Sequence, residues 1–252
     1  MNSTRNAGTL LVENFSDGIS LFTINREAKR NAICSKTAAA LQVAFEEFDR
    51  SEQRVAVITG AGSAAFTAGA DVADVPELWR CIPTVGIRTE KPIISAVSGW
   101  CVGGGVVLAM MSDLVVATED AKFSYPEAKL GIAQGMIAGL AARIPHKMAM
   151  EIMLLARTVD ANRAYQMGLV NEVVPSGQHV TAAISMAREL TNMAPLVLKM
   201  LKRFVTEGVL TQGPTERFGH VRRDMEIIAQ SADIKEGFQA HREKRKPKFT
   251  GR

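Results

Sequence analysis

The chain has 252 residues, 47% hydrophobic and 22% charged, so it can bury a sizeable core and is neither a disordered tail nor a small stapled scaffold. A net charge of +4 is mild and argues against nucleic acid as the main partner. Three scattered cysteines with no CxxC or Cys/His spacing suggest reduced thiols rather than a disulfide framework or a zinc site. No apolar run reaches the roughly 18 residues that span a bilayer, and no charged-then-apolar leader opens the sequence. The expectation is a soluble, cytoplasmic protein with no membrane partner.

In chain order, residues 9–14 and 19–24 alternate on either side of Asp17-Gly18, which predicts a hairpin. Residues 35–49 carry Ala39, Leu41, Ala44, Phe45 and Phe48 at helical spacing, with Ser35 as the expected N-cap. A buried strand is predicted at 55–59, a short helix near 75–81 and a second buried strand at 93–98. Residues 105–111 read as a helix apolar nearly all round. Strands follow at 113–118 and 121–125, and Pro126 suits the first position of a turn or helix. Beyond about residue 135 the strands are expected to stop. Helices are predicted at 136–143, 147–156, 161–167, 177–193, 195–207, 215–231 and 234–242. The pattern is an α/β core followed by a helical module. Recurring strand-strand-helix units suggest a spiral.

Two glycine-rich turns, Ala68-Gly69-Ala70-Asp71 and Gly103-Gly104-Gly105, each follow a strand-like run. Such turns expose backbone N–H groups with no intrahelical partner. Two of them can aim two N–H groups at one oxygen and form an oxyanion hole. The plainer alternative is that the glycines only permit tight turns and close packing.

These segments, taken with others, resemble the crotonase family, the enoyl-CoA hydratase/isomerase superfamily. The markers run Asn25-Arg26-Glu27-Ala28-Lys29-Arg30-Asn31-Ala32, Phe66-Thr67-Ala68-Gly69-Ala70-Asp71 and Lys91-Pro92-Ile93-Ile94-Ser95-Ala96-Val97-Ser98-Gly99. They continue through Gly103-Gly104-Gly105, Ser112-Asp113-Leu114, Phe123-Ser124-Tyr125-Pro126-Glu127 and Ala164-Tyr165-Gln166-Met167-Gly168-Leu169-Val170-Asn171. The resemblance covers nearly the whole chain. It implies a crotonase-like ββα spiral core over residues 1–195. It also implies a helical C-terminal trimerisation module over 196–252, in a homotrimer or a dimer of trimers. The implied substrate is an acyl-CoA thioester whose oxygen is held by the N–H groups of Ala70 and Gly104 while the α-carbon becomes enolate-like. No metal or redox cofactor is implied, coenzyme A entering only as part of the substrate.

One departure bears on the reaction. Hydratases of the family place a glutamate two residues after the last glycine of the triple-glycine turn, where this chain has Val107. The second glutamate is kept as Glu127. A lone carboxylate suits a proton shuttle between two carbons, as in a Δ3,Δ2-enoyl-CoA isomerase, better than addition of water. A positioned general base is worth roughly 10²–10⁴-fold. Val107 also reads as an ordinary core residue, and Glu127 as a carboxylate at the positive end of a helix. Hydration, decarboxylation, hydrolysis or dehalogenation stay open, with Tyr125 and Gln134 as polar contacts. A CoA- or RNA-binding protein with degraded catalysis is a further alternative.

By the same resemblance Arg26, Lys29 and Arg30 are candidate phosphate or ribose contacts for coenzyme A, with Ala68 at the same ligand's edge. The basic stretch 244–249 is a second candidate, from the same or a neighbouring subunit. Both have the plain alternative of a solvated charged surface. The segment 71–91 is shorter than is usual in hydratases, which predicts a more open acyl pocket. The four histidines are dispersed and suggest no triad.

Overall fold

Alternation at the start of the chain builds an antiparallel meander of β1 (Ser3–Asn6), β2 (Leu10–Asn14) and β3 (Ile19–Ile24). The computed structural model describes residues 3–6, 8–132 and 136–252. Next come α1 (Ser35–Arg50), β4 (Val55–Gly60), β5 (Ala65–Thr67), β6 (Ile93–Val97), β7 (Trp100–Val102) and α2 (Gly104–Met111). β8 (Leu114–Thr118), β9 (Lys122–Ser124), α3 (Glu127–Leu130) and α4 (His146–Leu155) follow. The chain continues with β10 (Val159–Asp160), α5 (Ala161–Gln166), β11 (Glu172–Val174), α6 (His179–Thr191), α7 (Pro195–Arg203), α8 (Pro214–Gln230) and α9 (Ala232–Arg242).

The strands fall into two sheets. One runs β1-β2-β3-β4-β6-β8-β11, parallel from β3 onward; the other runs β10-β9-β7-β5. Each of the pairs β4/β5, β6/β7 and β8/β9 gives its first strand to the large sheet and its second to the small one. This is the predicted spiral. Parallel strands covered on both faces must be apolar on both. In β4, Val55 and Val57 point to the side covered by Ala183, Ile184 and Ala187 of α6. Ala56 and Ile58 point to the larger core shared with α1 and α2.

Three rings anchor α1 to β3. Phe22 and Phe45 stack with centroids 4.2 Å apart, and Phe48 meets both edge-on. Such pairs add to the free energy of plain area burial. The buried Lys91 ammonium closes the far end of α1. It donates to the carbonyls of Phe48 and Ser51 at 2.8 Å each and lies over the Phe48 ring. A cation there complements the helix dipole.

Several local expectations are corrected. Ser35 is not the N-cap of α1. Cys34 holds that position without a side-chain bond to a helix N–H, its thiol meeting the Thr37 hydroxyl instead, while the Ser35 hydroxyl and N–H both donate to Asp74. A carboxylate from another segment is a stronger acceptor at a helix N-terminus than a local hydroxyl. Strands do not stop at 135, because β10 and β11 add to the two sheets. Both are too short to carry a period-2 signal and depend on edges already formed. The expected helices near 75–81 and 136–143 are 3-10 turns, Leu78–Cys81 and Met136–Ala142. Among the described residues no helix is long and apolar enough to cross a membrane.

Replacing Phe45 with Ala removes the ring at the centre of the aromatic trio. The expected loss is about 3–5 kcal/mol of unfolding free energy, read from urea denaturation at constant m-value.

Candidate active site

The first glycine turn leaves β5 and is held from both sides. The Ala68 N–H donates to the Arg30 carbonyl at 2.9 Å, and the Gly69 N–H to the Thr67 hydroxyl at 3.1 Å. The Gly69 carbonyl accepts from the Ile33 N–H, and the Asp71 N–H donates to the Ile33 carbonyl, both at 2.8 Å. Within 68–71, the N–H of Ala70 alone has no acceptor among the described residues. Gly69 sits at φ +86°, a region open to glycine but strained for other residues.

The second turn leaves β7. The Gly103 N–H donates to the Ser124 carbonyl at 2.9 Å, and Gly103 at φ 52° swings the chain into α2. The first N–H groups of a helix lack an i−4 acceptor. That of Gly104 has none among the described residues. The two turns interlock. A Cβ added at Gly69 would lie 2.7 Å from the Val102 carbonyl oxygen and 3.2 Å from the Gly104 nitrogen. One at Gly105 would meet the Thr67 methyl at 2.6 Å. The free N–H groups of Ala70 and Gly104 therefore belong to backbones in near contact.

Glu127 opens α3 directly above this junction. Its Oε1 lies 3.0 Å from where a Cβ on Gly103 would sit. Its Oε2 is buried with no hydrogen-bond partner among the described residues. Burial pushes the carboxyl above its ordinary value, because a desolvated carboxylate is costly. Tyr125 is buried beside it. Burial, with the Glu127 charge as a smaller cause, raises the phenol well above its usual range. Val107 is 2% exposed within the main core, so an apolar side chain fills the position that could have carried a second carboxylate. Gln134 lies outside the described residues.

The proposed coenzyme-A edge is divided. Lys29 and Arg30 are exposed on the 3-10 turn Glu27–Lys29 and its left-handed end. Arg26, expected to meet phosphate or ribose, is committed elsewhere. Its guanidinium donates to the Ala32 carbonyl at 2.5 Å and to Asp71 at 2.9 Å, and it is only about a fifth exposed. That guanidinium also holds the Asp71 carboxyl below its usual range. Arg26 is therefore a brace between the 26–33 loop and the first glycine turn. The basic stretch is paired within its own chain segment. Arg245 pairs with Glu236 and Glu243, and the Lys248 N–H donates to Glu236, folding the segment onto α9.

The three thiols are buried, and burial pushes Cys81 up to about 12 and Cys101 higher still. Neither is a thiolate at neutral pH. Among the described residues no group of three or more His, Cys, Asp or Glu could hold a metal ion.

Residues 14–252 match the sequence profile of the Enoyl-CoA hydratase/isomerase family. The chain belongs to that family. A carnitinyl-CoA dehydratase of Salmonella paratyphi A is 35% identical over 240 residues, 89% of this chain and 92% of that protein. The crystal structure of a carnitinyl-CoA hydratase from Mycobacterium avium superposes with a TM-score of 0.74 at 34% identity, covering 98% of this chain and all of the other. An enoyl-CoA hydratase from Mycobacterium tuberculosis H37Rv gives 0.74 at 33%, covering 97% and 99%.

In this member of the enoyl-CoA hydratase/isomerase family, the segment after the first glycine turn is packed closed. Leu78, Trp79, Cys81, Ile82, Val85 and Ile87 are all buried. The Leu78 methyls lie 3.0 Å from where a Cβ on Gly104 would sit. Helix α8 backs this part of the wall. Gly219 of α8 approaches so closely that a Cβ there would lie 2.4 Å from a Val85 methyl.

Arg80 fastens the two. It donates to both oxygens of Glu226 at 2.6 and 2.8 Å, to Glu77 through two nitrogens and to Gln42 at 3.0 Å. Its guanidinium lies 4.6 Å from the centre of the Trp79 ring. Arg222 of α8 adds a bond to Glu77 at 2.5 Å. Sequence reading missed Arg80, since its partner is 146 positions away and no local spacing marks it. Asn31 was also missed as a support. Its amide donates to the carbonyls of Ala61 and Ala65 while its oxygen accepts from the Arg26 N–H. Asn31 sits at a left-handed φ of 56°, a region that Asn tolerates better than most residues.

Arg80→Met keeps the stem and deletes the fork. With Arg80 about a fifth exposed, the expected cost is about 1–3 kcal/mol in urea denaturation, and Arg80→Lys should recover only part of it.

Proposed function

We propose that this chain acts on an acyl-CoA thioester through an enolate, with the N–H groups of Ala70 and Gly104 on the thioester oxygen and Glu127 as the single proton carrier. The observation that carries this reading is one constellation. Two adjacent backbone N–H groups lack acceptors, and a buried, unpartnered carboxylate lies against the turn that supplies one of them. Donors aimed where negative charge develops are typically worth on the order of 3 kcal/mol each. Family membership supports the thioester.

The favoured reaction is Δ3,Δ2-enoyl-CoA isomerisation. Glu127 takes a proton from C2, the electron pair spreads over the thioester oxygen and the C3–C4 double bond, and the same carboxyl returns the proton to C4. The double bond then lies between C2 and C3, and Glu127 ends ionised as it began. Val107 supports this choice, since a shuttle needs one carboxylate and the neighbouring position is apolar. A second reading is hydration or dehydration, in which water adds to C3 or leaves it. It is favoured by the dehydratase and hydratase names of the relatives.

Lys29 and Arg30 are the exposed cations proposed to meet the coenzyme-A phosphates, beside Ala68. We also propose a homotrimer or a dimer of trimers. Leu196, Val197, Phe204, Phe218, Val221 and Ile228 on the C-terminal helices leave more than two fifths of their surface in solvent, which suits burial against other copies.

A 3-enoyl-CoA should gain the absorbance of a conjugated thioester with the wild-type protein. Glu127→Gln should lower that rate roughly 10²–10⁴-fold with the fold intact by circular dichroism. If crotonyl-CoA instead loses its absorbance rapidly, the hydration reading replaces the isomerase one. If no acyl-CoA tested exchanges its α-protons in heavy water, the enolate reading fails altogether.

The pH dependence has a defined sign. The Glu127 carboxyl titrates above its unfolded-state value. Its protonated form therefore stabilises the fold fully below the unfolded value, and that contribution is lost as pH rises through the folded one. At neutral pH Glu127→Gln should unfold at a higher denaturant concentration than wild type, with the difference vanishing in acid. The acidic limb of kcat/KM should lie above the ordinary glutamate range.

A further inference from the structure

A cleft of about 620 Å³ lies between the end of α1, the loop 84–90 and helices α7 and α8. It is separate from the junction of the glycine turns. Ser35, at the start of α1, is bonded to Asp74 near the first turn, whereas Asp49, at the other end, lines the cleft. Fourteen residues of helix separate them, about 21 Å at 1.5 Å per residue.

The cleft gathers basic groups that the fold leaves without counter-charge. Arg217 and His220, at three-residue spacing on α8, line it, and Arg223 three residues on lines a neighbouring cleft that shares Arg88. Arg88 comes to meet them from the loop, with its Nη2 3.0 Å from His220 Nδ1. Arginine has no acceptor, so Nδ1 must accept and the ring proton sits on Nε2. That Nε2 is buried and has no partner among the described residues. Arg223 Nη1 is in the same condition. A buried donor without an acceptor is costly to the fold.

Two other cations in the cleft are already neutralised: Lys202 by Asp113 and Arg203 by Glu90. Among the described residues Arg88, Lys199, Arg217 and Arg223 form no ion pair. The carboxylates nearby stay beyond pairing distance. Asp49 accepts the Thr89 hydroxyl at 2.6 Å, and Glu207, Asp224 and Glu46 pair with none of these four. Burial and the Arg88 charge both disfavour the protonated ring of His220, in keeping with its role as a neutral acceptor of the Arg88 N–H.

We propose that this cleft is a binding site for a phosphate-type oxyanion, held by the Arg88 fork together with Arg217 and Lys199, with His220 orienting the Arg88 guanidinium. A tetrahedral oxyanion offers several acceptors at once, matches guanidinium geometry and removes the like-charge crowding. The anion is either free in solution, as an inorganic or nucleotide phosphate, or the phosphate end of a coenzyme-A molecule. The proposal does not rest on the enolate chemistry.

The test is calorimetric titration of the full-length protein with inorganic pyrophosphate, alone and with saturating coenzyme A. The expected result is saturable binding, weakened about tenfold or more, roughly 1.4 kcal/mol, by Arg88→Gln and by Lys199→Gln. Arg88 is exposed, so its replacement leaves folding intact. Binding that survives coenzyme A assigns the site to a free anion, and binding displaced by it assigns the site to the cofactor's phosphates. Glu127→Gln should bind pyrophosphate as wild type does. The proposal is overturned if no saturable heat appears, or if the heat is the same in both charge variants, which marks an adventitious ion only. It is also overturned if Arg88→Gln lowers the oligomeric mass while wild type binds no pyrophosphate, because the cleft is then a contact between copies.

Discussion

The closeness of two backbones governs the rest of this structure. The Gly69 turn lies against the Val102 carbonyl and the Gly104 nitrogen, and Gly105 lies against Thr67, with no room for a side chain at either glycine. That contact is possible because β5 and β7 are parallel neighbours in the small sheet, so both turns leave the same end of it. The spiral exists to feed strands into that sheet in order. The 26–33 loop then holds the first turn through Arg30, Ile33 and the Arg26–Asp71 pair. α2, buried along its full length, holds the second.

At this junction the protein leaves polar groups of both kinds unpaired. The core is apolar, and its buried ammonium, Lys91, is satisfied by carbonyls. Glu127 breaks the rule with a buried oxygen that has no partner, and the free N–H groups nearby break it in the opposite sense. Unsatisfied groups of both signs where two turns meet characterise a surface prepared for a ligand with its own polar atoms. The clasp of Arg80 on Glu226 and Glu77 lies behind the same wall and keeps α8 seated on Leu78 and Trp79.

Much of this was legible in the sequence, for identifiable reasons. β4, β6 and β8 are apolar on both faces and could be found from runs alone, and α1 declared itself through Leu41, Phe45 and Phe48. The glycine turns were legible because only glycine meets their steric demands. What could not be read were contacts whose partners are distant in sequence. Asp74 replaces Ser35 at the start of α1, Arg26 turns inward to Asp71, and Arg80 finds Glu226. In each case a charged group took the strongest acceptor or donor within reach, and only the tertiary fold decides which one that is. Asp113 and Asn171, prominent in the motifs, prove to be fasteners. Asp113 receives Ile93 N–H and Lys202, and Asn171 receives the Val115 N–H.

Gly219 sits near one end of α8, a rod of 17 residues and so about 25 Å long. Its backbone is flush with Val85 and Trp79. A single methyl there acts as a wedge under a lever: a displacement of a few tenths of an ångström at the point of insertion is magnified toward the distal end of the rod. Mechanical stiffness between the C-terminal helices and the wall beneath them is thus vested in the absence of one carbon atom.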